Sequence, residues 1–144
     1  VSSSFVVVYA HVVGAILVVG YCLFWAVMTT AARRQFASAD ALRFLRAARS
    51  AAWPLPGKKP TLALIGWLLL IFVAVAGVLC LPDGFSMGRL ISGERFSTLL
   101  SIKLVLSAAL VACFPWLGVS RVPLAIASLG LALAVVVTST LLVR

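Results

Sequence analysis

The stretch FVVVYAHVVGAILVVGYCLFWAVMTT, residues 5–30, holds no aspartate, glutamate, lysine or arginine and a single histidine, His11. At about 1.5 Å per residue, a helix of this length crosses the roughly 30 Å hydrocarbon layer with length left for tilt. Inside lipid no water satisfies the backbone N–H and C=O groups, so such a run must be helical. It reads as a retained span and not a cleaved leader. It is too long, lacks a basic start and ends in Thr29-Thr30 without a clear A-x-A site.

Three more runs follow. Residues 61–81 begin after Pro60, which suits a first helical turn, and stop at Pro82-Asp83-Gly84, a turn signal. Residues 97–118 carry Lys103, and residues 123–143 close the chain. Over the 144 residues, 64% are hydrophobic and 10% charged, with a mean hydropathy of +1.22. So few charges cannot form the polar shell of a water-soluble domain. The expected fold is all-α: one membrane domain, residues 1–144, with four transmembrane helices in a bundle. The longest segment outside the spans, residues 31–60, is too short for a separate folded domain, so any chemistry sits between helices.

Charge sets the expected orientation. The loop at residues 31–60 contains Arg33, Arg34, Arg43, Arg46, Arg49, Lys58 and Lys59, opposed by Asp40 alone, and Arg121 falls on the same side. By the positive-inside rule this side is cytoplasmic and both termini lie outside. Within the loop, Ser38 can cap a helix running to Trp53, where Pro54 ends it. At 100° per residue Ala41, Phe44, Leu45 and Ala48 fall on one side, with Arg43, Arg46 and Arg49 on the other. The pattern is that of an interfacial amphipathic helix, with the three arginines as a docking surface for anionic lipid headgroups or a partner. The net charge of +9 could suggest nucleic acid, but it sits between two spans and no nucleic-acid motif surrounds it. The bilayer, anionic lipids and other membrane subunits are the expected partners.

His11 is the one candidate ligand. On a helical wheel it shares a face with Gly14, Ala15, Val18, Cys22, Trp25 and Thr29, the small and polar side of the first span. Small residues let backbones approach and polar ones avoid lipid, so this face should point into the bundle. A histidine there can donate from one ring nitrogen and offer the other to a metal or tetrapyrrole, or it can simply bridge two helices. Lys103 falls in the same layer of the membrane. Facing inward with Ser107 below it, Lys103 would complete with His11 a cationic pocket for a propionate, a carboxylate-bearing cofactor or a quinone oxygen; facing outward, it would snorkel.

Several chemistries find no residues. No carboxylate lies within a span, so neither an Asp/Glu proton relay nor a Ser-His-Asp set can be assembled. Cys22, Cys80 and Cys113 fall within or at the ends of spans and suggest no disulfide framework; they read as small apolar fillers. One histidine, two methionines and three scattered cysteines are sparse for a copper path. Pro115 frees the carbonyl of Val111 and should bend the third span. The fourth span, with Ala127, Ser128, Gly130, Ala132 and Ala134, signals tight helix packing.

The stretch from His11 to Gly20, followed by Phe24 and a basic segment, resembles the opening helix of the copper-resistance D family and its small four-helix relatives. Ser101-Ile102-Lys103-Leu104-Val105-Leu106 resembles that group's lysine-bearing third helix. Inner-membrane protoporphyrinogen oxidases of bacteria share the same broad plan of a first-helix histidine and a later lysine. The resemblance implies a bacterial cytoplasmic membrane, haem b or another tetrapyrrole as cofactor and, in one version, metal transport with His11 as ligand. The chain departs from the pattern in having Val18-Val19 where a tryptophan commonly precedes the glycine, and in lacking a second histidine. The leading expectation is therefore a non-catalytic accessory subunit of an energy-transducing (respiratory or photosynthetic) or metal-handling assembly, holding a haem, pigment or lipid at His11. The alternative is a metal transporter of the copper-resistance D type using His11 and Cys22.

Overall fold

A computed structural model of the chain describes residues 3–50, 62–80, 95–117 and 122–142. They form five α-helices: α1 (Ser3–Gln35), α2 (Ser38–Ser50), α3 (Leu62–Leu79), α4 (Arg95–Cys113) and α5 (Val122–Leu142), with a 3-10 turn at Phe114–Trp116 after α4. Four stretches are long and apolar enough to cross a bilayer, namely Phe5–Gln35, Leu62–Leu79, Ser97–Trp116 and Val122–Leu141. The chain is a polytopic, all-α membrane protein. Residues 51–61 and 81–94, which include most of the connection between the second and third spans, lie outside the described residues.

The first helix is longer than the span expected of it. With 33 residues it runs about 50 Å, well beyond the hydrocarbon layer. Arg33 and Arg34 in its last turn complement the negative end of the helix dipole. That overhang is the reason α2 does not lie free on the bilayer. Phe36 and Ala37 reverse the chain, and α2 packs against α1 and also reaches α3. Ala41 and Leu45 are fully buried there, so the apolar side read as interfacial is spent on protein contact. Phe44 is the exception: it stays exposed beside Phe36, ring centroids 5.6 Å apart. Ala37, not Ser38, takes the cap position, its carbonyl accepting from the Ala41 N–H at 2.9 Å.

Helix α1 is the hub, in contact with α2, α3 and α5, while α4 packs chiefly on α5. The core joins Val18, Cys22, Trp25 and Ala32 of α1 to Ala41 and Leu45 of α2, with Leu110, Phe114 and Leu117 following α4 and Ala132 from α5. It lies toward the basic end of the bundle. Large apolar residues such as Ile16, Leu68, Ile71, Val78 and Val105 remain on the perimeter, as expected where lipid is the solvent.

Pro115 ends its helix where a bend was expected. The α-helical ladder stops at Cys113, the next three residues tighten into the 3-10 turn, and Leu117 leaves in an extended conformation after its N–H bonds to the Phe114 carbonyl at 3.2 Å. Proline cannot donate to the i−4 carbonyl, and its ring suits the first turn of a new helical segment better than the interior of an old one.

Candidate functional site

The antiparallel seam between α1 and α3 is built on glycine. A Cβ at Gly14 would lie 2.6 Å from Val73 Cγ2, one at Gly77 would lie 3.0 Å from His11 Cε1, and one at Gly66 would run into the ring of Tyr21, 2.6 Å from its hydroxyl. Each bare Cα thus accepts a side chain from the opposite helix, which lets the two backbones approach closely.

Two ring side chains of α1 use this approach in the same way. The Tyr21 hydroxyl donates to the Leu62 carbonyl at 3.1 Å. His11 Nδ1 lies 3.1 Å from the Val73 carbonyl; a carbonyl only accepts, so Nδ1 carries the proton and Nε2 keeps the lone pair. His11 is half-buried, turned onto α3 and resting against Gly77. The face shared by His11, Gly14, Ala15, Val18, Cys22, Trp25 and Thr29 does point inward: all are buried except His11 and Ala15, which are half-buried.

Lys103 is half-buried on α4; Tyr21 and Phe114 stack on each other, and His11 and Lys103 each lie about three helical turns back from them toward the other end of the bundle. The structure thus brings His11 and Lys103 to one end of the bundle. Ser107, one turn further along α4, is also half-buried. Cys22 is fully buried, about three helical turns or 16 Å along α1 from His11, so the two cannot hold one ion. Among the described residues, no three or more His, Cys, Asp or Glu side chains gather into a group able to hold a metal ion. The arginines of α2 divide: Arg43 and Arg46 are exposed and Arg49 is half-buried.

Sequence reasoning missed the opposite end of the seam. Tyr21 stacks on Phe114 with centroids 5.3 Å apart and packs edge-on to Trp25 at 6.2 Å. Trp67 of α3 meets the far side of the group, 5.5 Å from Phe114. This aromatic node ties α1, α3 and the turn after α4 together. The signal available was a tyrosine within a span, since its hydroxyl needs an acceptor there. A second feature was also missed: Trp25 Nε1, Thr29 Oγ1 and Arg33 Nε are buried without a hydrogen-bond partner among the described residues. They follow one another at four-residue spacing along the inner stripe of α1.

Comparison with protein-family models, with curated proteins and with solved structures finds no match for this chain.

Proposed function

We propose that this polytopic membrane protein is a non-catalytic subunit of a larger membrane assembly and that it holds an acid-bearing ligand, of which haem b or another tetrapyrrole is the best fit, at the His11 end of the bundle. The observation that carries the reading is the half-exposed imidazole with Nδ1 committed to the Val73 carbonyl. Such a bond fixes the tautomer and aims the ring, which is how ligating histidines are commonly held. Nε2 would then be the nitrogen offered to the group, and Lys103, toward the same end of the bundle, would supply a cation for a propionate. The donor set fits a tetrapyrrole with one protein ligand. Bound there, such a group supplies one-electron chemistry; the chain's own part is to orient the imidazole and neutralise a carboxylate.

The assembly half of the reading rests on sparse burial. No more than 22% of the most apolar window of any span is buried, so most of the helix surface is left for lipid and for neighbouring helices. Absorption spectroscopy of the protein purified in mild detergent tests the ligand: a tetrapyrrole band lost in His11→Ala is expected, and a spectrum without such a band removes the cofactor. Native gel migration after the same extraction tests the assembly: a complex larger than one chain is expected, and solitary migration removes it.

A further inference from the structure

A shallow, open groove of about 500 Å³ runs along α1 on the side away from the His11 face, lined by Leu23, Ala26 and Val27, with Leu129 of α5 at its edge and Arg34 and Gln35 at its end. Its volume falls in the range of about 300–1,000 Å³ typical of small-ligand sites. From Leu23 to Arg34 the floor is about 16 Å long, the depth of one leaflet of a roughly 30 Å hydrocarbon layer. The apolar walls and the cation lie in the order a phospholipid requires: chain along the walls, headgroup at the end. Thr30, also in the wall, has its hydroxyl proton committed to the Ala26 carbonyl at 2.7 Å, which leaves Arg34 as the exposed charge of the groove.

Charge decides among occupants. Arg33, Arg34, Arg43, Arg46 and Arg49 share this end of the molecule, and Asp40 is the one acidic side chain among the described residues. A second copy of the chain would bring the same excess of positive charge to the groove, and a zwitterionic lipid would neutralise none of it. We infer that the α1–α5 groove is a site for one anionic phospholipid, its acyl chain lying along Leu23, Val27 and Leu129 and its phosphate accepting from the Arg34 guanidinium. The site is distinct from the outward arginines of α2 and from the His11 end.

Native mass spectrometry of the purified protein in micelles doped with equal amounts of phosphatidylglycerol and phosphatidylcholine tests it. The wild type should retain phosphatidylglycerol about fivefold over phosphatidylcholine, the effect of one basic side chain near the headgroups. Arg34→Gln should bring the ratio close to one, and Arg34→Lys should restore most of it. Val27→Trp, which fills the groove while leaving every charge in place, should lower retention of the anionic lipid. An equal ratio in the wild type overturns the inference. So does a preference that survives both Arg34→Gln and Val27→Trp, or a lipid-free dimer as the main species.

Discussion

The two ends of the α1–α3 seam apply one device to different purposes. At each end a ring from α1 rests on a glycine of α3 and donates to an α3 carbonyl at 3.1 Å: Tyr21 on Gly66 to Leu62, His11 on Gly77 to Val73. At the Tyr21 end the ring, half-buried like His11, packs on Phe114 and Trp25, and Trp67 and the fully buried Leu45 of α2 join the same cluster. At the His11 end that aromatic cluster is missing among the ring contacts of the described residues, and a half-buried lysine, Lys103, lies toward the same end of the bundle. Tyr21, its hydroxyl proton given to the Leu62 carbonyl, is held within that aromatic cluster. An imidazole with one free nitrogen can also bind. The contrast separates the part of the molecule that holds it together from the part free to act.

Substitutions at the aromatic end should have the largest effects. Leu45→Ala opens a cavity where α2 meets α1 and should cost about 3 kcal/mol, read as a fall in thermal midpoint together with protease cleavage around Phe36 and Ala37. Gly66→Ala should come next. The new methyl meets a tyrosine ring that Phe114 holds in place, so about 2 kcal/mol of overpacking outweighs the roughly 1 kcal/mol that alanine gains in helix propensity. Loss of the tyrosine hydrogen bond should accompany it, visible in the tyrosine hydroxyl stretching band.

Gly77→Ala tests the other end. Its methyl would press on His11 Cε1 at 3.0 Å, but the half-exposed imidazole can yield by a few tenths of an ångström. Stability should therefore change by less than about 1 kcal/mol, while the imidazole resonances move. A loss as large as that of Gly66→Ala would show that the two ends are equally rigid. Smallest of all should be Thr29→Val. It removes a buried hydroxyl that has no partner among the described residues and keeps the shape, so the thermal midpoint should hold or rise slightly. A drop of several degrees would show that the hydroxyl is engaged by a group outside the described chain.

How much of this was legible in the sequence follows from what each feature depends on. The four spans and the inward face of α1 depend on hydropathy and helical period, both local, and both are found. Placing His11 and Lys103 at one end required only counting turns from the same membrane surface. Tertiary reach was hidden. Nothing in residues 31–35 announces that α1 continues as one rigid rod and gives α2 a protein surface to lie on, because Ala31-Ala32-Arg33-Arg34-Gln35 reads equally well as loop or helix. The aromatic node was hidden for a similar reason. Tyr21, Trp67 and Phe114 come from three separate segments, and nothing local to any one of them says that the three meet. Pro115 was noticed, but whether a proline bends a helix or ends it depends on the residues that pack beyond it, here the buried Leu117.

The account stands on the direction in which the single imidazole donates. Solid-state ¹⁵N NMR of the protein labelled at histidine and reconstituted in bilayers reads that directly, since protonated and unprotonated ring nitrogens have well-separated shifts. The account expects Nδ1 to carry the proton, with a cross-peak to the Val73 carbonyl carbon, and Nε2 to appear unprotonated or shifted by a ligand. A proton on Nε2 with no contact between Nδ1 and Val73 would contradict it.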